Sequence, residues 1–298
     1  MAKARKLIFA ALIVFCFAVM VFGINTADIA HAYGLYDVSE ENSPQNPYLI
    51  ATAEDMNELS AQVLAGNSQE GNYFRLAGDI VLDPAFNPIG NPSNQFKGIF
   101  DGDDFTITIN ITKTTSYNGI FGAIGANGGV RNLRVGGTVT GANNTGSIAG
   151  VNYGFIENSI NYSAVSANDY SAEGIGGIAG LNYGRIENCI NMGTVRGNKY
   201  VGGIAGTNAT TGSSLSILNG IINLGDLTYH AGYNSYIIGG LVGQNDGIVK
   251  NGYNYALVTH TGDQKGSLIG YFSAKANLAG SKNCYNNIAK SATKVIGV

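Results

Sequence analysis

The chain has 298 residues, of which 12% are Asp, Glu, Lys or Arg, with 43 Gly, 17 Tyr, no Trp and a formal net charge of -3. Gly enrichment without a G-X-Y period excludes collagen, and 45% apolar residues exclude a disordered chain. The small negative charge excludes the basic footprint of a nucleic-acid binder, and the scarcity of charge argues against a helical enzyme.

Lys3, Arg5 and Lys6 precede an uncharged apolar run from Leu7 to Ile24, followed by a polar stretch ending Ala30-His31-Ala32. That order predicts a secretory signal peptide over residues 1–32. An uncleaved anchor is the alternative, since the run approaches the length of a membrane span. Membrane contact is expected only through this segment, and the remaining chain is expected to be secreted or held at the extracellular cell surface.

Residues 33–72 read as an N-terminal strand and a capping helix. Thr52 is placed to cap a helix to about Leu64, with Glu54 and Asp55 in its first turn. Met56, Leu59, Val63 and Leu64 form one apolar stripe, as expected of a helix that closes an open sheet end. Strands near Tyr73–Leu82 and Phe105–Ile111 would form the first coils. Asp101-Gly102-Asp103-Asp104 lacks the ligand spacing of a calcium loop and reads as a corner.

From about residue 117 the chain repeats. Six segments align from Asn118, Thr145, Ile175, Val201, Ile238 and Lys265, at spacings of 27, 30, 26, 37 and 27. One apolar column is Ile120, Ile148, Ile178, Ile204, Leu241 and Leu268. A second is read as Val130, Ile156, Ile186, Ile217 and Val249, and a third as Val139, Val165, Val195, Leu227 and Val258. Short alternating runs punctuated by Gly predict three strands per repeat. The fold expected for residues 73–298 is therefore all-β, a three-sided parallel β-helix (β-solenoid) with a short N-terminal capping helix. Asn falls into three columns, at 152/182/208/245, at 158/188/219/251/283 and at 161/191/223/254/286. Asn tolerates the left-handed conformation at corners, and stacked amides can bond from coil to coil.

The segments Gly176–Gly197 (GGIAGLNYGRIENCINMGTVRG) and Gly239–Val258 (GGLVGQNDGIVKNGYNYALV) resemble the GLUG-motif repeat of bacterial cell-surface proteins. The stretch from Asn46 is similar to what precedes such repeats. The first repeat departs from the pattern at Val130-Arg131-Asn132-Leu133, the fourth carries insertions, and the last lacks the G-x-N corner. The resemblance implies a secreted or surface-displayed β-solenoid with an adhesive role and no shared catalytic site.

Cys189 and Cys284 occupy one repeat position three coils apart, roughly 14 Å, which is too far for a disulfide. Two reduced, buried thiols are expected. Glu157 and Glu187 are equivalent residues of adjacent coils, and Arg185 shares their strand face; a solvated charged face explains them without chemistry. His230 and His260 lack partners at metal-ligand spacing, and no nucleophile-elbow, metalloprotease, P-loop or dinucleotide motif occurs. Neither metal nor cofactor is expected, and no catalytic residue is assigned.

Two long loops leave the same corner, after Val165 and after Leu227. They carry Tyr170, Tyr229, His230, Tyr233 and Tyr236, the candidate site for a glycan or protein ligand. Packing of these rings over the corner is the competing explanation. Tyr153 and Tyr183, at an N-Y-G corner, form a second candidate. The function expected is an adhesin-like binding or scaffold protein. A polysaccharide lyase or hydrolase on a β-helix is the alternative, although acidic ligands and a basic residue are not clustered as a lyase requires. Ice binding is disfavoured by the broken rank Thr138, Ala164, Thr194, Asp226.

Overall fold

The computed structural model describes residues 42–212, 214–230, 237–258, 264–272 and 280–286. The expected signal segment, Tyr233 and Tyr236 lie outside the described residues. The described chain winds as a parallel β-solenoid. Its strands form three sheets, of 18, six and four strands among the described residues, and every pairing between named strands is parallel.

One coil shows the plan. Glu173–Gly176 lies in the four-stranded sheet and Ala179–Asn182 in the six-stranded sheet. Arg185–Glu187, Ile190–Asn191 and Val195–Arg196 then contribute to the largest sheet. Alternation sends Ile186 and Val195 inward and leaves Arg185 and Arg196 exposed. The interior is built of vertical files. Ile148 N donates to Ile178 O at 3.1 Å, Ile178 N to Ile204 O at 2.9 Å, and Ile204 N to Leu241 O at 2.9 Å. All four side chains are fully buried, so each step of backbone bonding also stacks branched apolar groups without water. The third expected file holds residue for residue, from Val139 through Val165, Val195 and Leu227 to Val258.

The second file needs a one-residue correction in the fourth coil. Ile186 pairs with Leu218, whereas Ile217 pairs with Arg185 on the outward parity. Asn219 consequently follows Glu187 in register, and Gly220, at φ 64°, takes the left-handed corner held elsewhere by Asn158, Asn188, Asn251 and Asn283. Asn and Gly both accept that conformation. The sequence Ile-Leu-Asn-Gly-Ile-Ile-Asn therefore fits two registers, and burying Leu218 selects one. The divergent first repeat conforms, because Asn132 holds the same corner at φ 53°.

Two of the Asn columns are continuous buried amide ladders. Asn152 Nδ2 donates to Asn182 Oδ1 at 2.7 Å, Asn182 to Asn208 at 2.8 Å and Asn208 to Asn245 at 2.7 Å. The ladder from Asn161 through Asn191, Asn223 and Asn254 to Asn286 has steps of 2.7 to 2.9 Å. Asn161, Asn191 and Asn254 also donate to their own corners and Asn223 accepts from Gly225 N, so these buried amides are bonded within their coil as well as between coils.

Helix α1 spans Ala53–Leu64. Thr52 and Asp55 form a reciprocal capping box: Asp55 N donates to Thr52 Oγ1 at 3.2 Å, and Thr52 N to Asp55 Oδ2 at 2.8 Å. Met56, Leu59 and Val63 pack into the core that includes Ile50 and Phe74. Leu64 is only half-buried. Phe74, Phe96 and Phe121 continue that core in a tilted series, at ring separations of 5.9 and 5.1 Å. Asp101 closes the Asp-Gly corner through Arg131 Nε and Asn132 Nδ2, both at 2.9 Å.

Of the three cysteines in the chain, Cys16 lies outside the described residues; Cys189 and Cys284 are free. Cys189 is buried and its thiol is pushed up to about 12, chiefly by burial. Cys284, on strand Lys282–Asn286, is only half-buried, contrary to expectation. Among the described residues no helix is long and apolar enough to cross a membrane.

Candidate functional site

The Asn152 ladder sets the corner beside a surface groove. Asn152 Oδ1 accepts from Gly154 N at 3.1 Å, and this tight local bond turns Tyr153 outward. In the next coil Asn182 Nδ2 instead donates to Gly184 O at 3.1 Å, and Tyr153 and Tyr183 stack at 5.1 Å with their planes 12° apart. Gly154 and Gly184 form the floor. A Cβ on Gly154 would sit 2.0 Å from Gly128 O, and one on Gly184 would sit 2.0 Å from Gly154 O. Only glycine allows the coils to close there.

The opposite wall is Phe155 and Arg185, register partners that both point outward. The Arg185 guanidinium lies 4.9 Å from the Phe155 ring centroid, a cation–π contact. It also binds Glu157 at 2.7 Å through Nη2 and approaches Glu187 at 3.6 Å through Nε. Ala126 and Asn127 close one end of the groove, and Ser214 and Leu215 close the other. The open groove encloses about 470 Å³, within the range of small-ligand sites. Burial first, then Tyr183 and Tyr117, raises the Tyr153 phenol above its ordinary range, so at neutral pH it carries its proton and can donate it in a hydrogen bond.

The long-loop edge assembles in part. Tyr170 is exposed, beside an Asp169 turn whose carboxylate accepts from Ser171 N at 2.7 Å and Ala172 N at 3.1 Å. The Ser171 hydroxyl is the first cause of the lowered Asp169 pKa. Tyr170 meets His230 edge-on at 6.2 Å, so the structure brings these two candidates together across one intervening coil. His230 N donates to Asn198 Oδ1 at 2.8 Å. Burial first and Arg196 second lower the His230 pKa, against opposing effects from Ala167 and Asp169. Tyr229 packs on the second apolar cluster, around Val195, Leu227 and Ile238. Among the described residues no group of three His, Cys, Asp or Glu could hold a metal ion.

Phe155, Arg185, Asn127 and Leu215 were not singled out as ligand contacts from the sequence. The signal that places the first two is alternation: each lies two residues after a corner Tyr, on the same outward parity. Ser214 and Leu215 belong to the insertion between Asn208 and Ile217, part of the long 37-residue spacing.

No family model matches the chain. A Gly-rich membrane protein, so named provisionally, from Evansella cellulosilytica is 35% identical over 176 residues, covering 53% of this chain and 19% of that protein. Halomucin of Haloquadratum walsbyi is 32% identical over 143 residues, covering 43% of this chain and 2% of halomucin. The chain thus spans a fifth or less of the length of these relatives. Among solved structures, a Bacteroides ovatus protein provisionally described as an immunoglobulin A1 protease matches with a TM-score of 0.64 at 21% identity, over 86% of this chain and 79% of that one. That likeness defines the fold, a β-solenoid, and no more.

Proposed function

We propose that this protein is a secreted or surface-displayed binding protein of the GLUG-like repeat kind, and that the groove beneath Tyr153 and Tyr183 seats a neutral glycan. The groove is the observation that carries the reading. Its aromatic walls supply apolar contact, while Tyr153, Asn127, Ser214 and Arg185 surround it with hydrogen-bonding groups. Arg185 is already engaged by Glu157 and Glu187, so the groove has no uncompensated cation for an acidic sugar. The names of the two relatives, a membrane protein and a halomucin, accord with a place at the cell surface. The loop edge at Tyr170 and His230, on another corner of the coil, is a separate and smaller candidate contact.

The reading involves no chemical step. A glycan array followed by calorimetry on the best hit tests it. Tyr153→Ala with Tyr183→Ala is expected to lower affinity at least about tenfold, the loss of two aromatic contacts. Tyr170→Ala should have a smaller effect. Unchanged affinity in the folded double variant, or release of unsaturated oligosaccharides by the parent, would overturn the proposal.

A further inference from the structure

The large apolar side chains that stay exposed are not scattered. Seven of the eleven among the described residues lie on one outward strip of the largest sheet. One rank is Tyr162, Met192, Leu224 and Tyr255, placed in successive coils by backbone bonds of Met192 N to Asn161 O, Leu224 N to Asn191 O and Tyr255 N to Asn223 O. Two residues earlier runs Ile160, Ile190, Ile222, Tyr253 and Tyr285. The exposed members of both ranks are 36% to 55% accessible, and Leu257 extends the strip sideways. Tyr253 and Tyr285 stack at 5.3 Å, stiffening one end.

The rim of this strip carries a charge pattern with its own symmetry. Over the five coils of the strip its register partners are Glu157, Glu187, Asn219, Lys250 and Lys282; one coil beyond Glu157 the rank continues to Arg131, which is paired with Asp101. Two acids and two bases therefore flank a neutral centre. Within one molecule, Lys250 beside Lys282 is a like-charge neighbour pair, which is unfavourable. Arg185 offsets one of the two acidic charges, leaving that half of the rim negative.

The geometry points to a second copy of this chain as the occupant, docked face to face with its solenoid axis reversed. A two-fold along the strands of the Asn219 coil sets each file against its own reverse. Glu157 and Glu187 then meet Lys282 and Lys250 of the other copy. Ile160 and Ile190 meet Tyr285 and Tyr253, Met192 meets Tyr255, and Ile222 and Leu224 meet their own equivalents. Reversal is what makes the surface self-complementary, as a closed two-fold interface requires; a same-direction dimer would place acid on acid and base on base. The strip is about 20 Å long, four steps of ~4.8 Å, which is at the small end of specific interfaces. The dimer is accordingly weak, concentration-dependent and salt-sensitive. The inference does not rest on glycan binding.

Sedimentation velocity on the full chain over a concentration series tests it, with circular dichroism to confirm folding of each variant. The parent is expected to show reversible monomer–dimer exchange that weakens with added salt. Lys250→Glu with Lys282→Glu makes all four charged positions of the five-coil rank acidic, and Glu157→Lys with Glu187→Lys makes them all basic. Each variant alone should be monomeric, and an equimolar mixture should form a heterodimer. Should the basic variant fail to fold, Leu224→Glu on the two-fold should abolish the parent dimer. A parent that stays monomeric at every concentration, or a dimer unaffected by the acidic variant and Leu224→Glu, overturns the inference.

Discussion

Asn161 and Asn191 join adjacent coils through one 2.7 Å bond, from Asn161 Nδ2 to Asn191 Oδ1, with both side chains wholly inside the protein. Asn191 in turn donates to Asn223 Oδ1 at 2.8 Å and to Gly193 O at 2.9 Å. The amide thus fastens its own corner and the two neighbouring coils. Asn191→Ala would leave partners on both sides short of a bond where water does not reach, at about 1–3 kcal/mol for each buried group left unpaired. A destabilisation of roughly 2–4 kcal/mol is expected. Asn188 provides the contrast. It is exposed, sits at φ 53°, and is matched in the fourth coil by Gly220. Asn188→Gly should change stability by less than about 1 kcal/mol, because glycine accepts the same backbone. Urea denaturation followed by circular dichroism and tyrosine fluorescence reads both changes, since the chain has no Trp. Equal effects of the two variants would contradict the distinction between buried ladder and exposed corner.

The contrast also explains which features were legible in the sequence. The Ile148–Ile178–Ile204 file and the Thr52 cap follow from strong local rules: apolar parity and a side chain that satisfies free amide groups. They could be placed to the residue. The fourth coil could not, because Asn219 and Gly220 are both suited to a left-handed corner and two apolar residues precede them. Only three-dimensional stacking decides which of Ile217 and Leu218 is inside. The groove was half-visible. Tyr153 and Tyr183 repeat visibly, but their opposing wall depends on Phe155 and Arg185 having different chemistry at one register position. Its far end comes from an insertion, Ser214–Leu215, that has no counterpart in other coils. Repetition reveals scaffold readily; a site built from departures between repeats is hidden by the same averaging.

His230 gives the loop edge a pH dependence. Its folded pKa lies below the ordinary histidine value, first because of burial and then because of Arg196. A depressed histidine pKa means that the unfolded chain takes up a proton more readily than the folded one. Its contribution to stability is therefore complete above the unfolded value, about 6.5, and is lost as pH falls through that value toward the folded pKa. Thermal unfolding scans from pH 7.5 to 5 should show a declining Tm for the parent. His230→Gln, which cannot take up the proton, should flatten that slope. A variant whose Tm falls as steeply as the parent's would show that His230 does not govern the dependence.

Cys189 and Cys284 predict a sharp difference in reactivity. They share a repeat position, yet Cys189 is buried between the coils of Ile160 and Ile222, while Cys284 is only half-buried. Thiolate is the reactive form, and burial drives the Cys189 thiol to about 12, so almost none ionises at pH 8. Burial also raises Cys284, but that side chain is partly accessible. In native protein, a maleimide reagent should modify Cys284 over minutes to hours and leave Cys189 untouched. After urea unfolding Cys189 and Cys284 should react together. Peptide mapping by mass spectrometry after timed quenching distinguishes the sites. Comparable native labelling of Cys189 would show that the coil between the Ile160 and Ile222 strands opens readily, which the unbroken Asn ladder through Asn191 forbids.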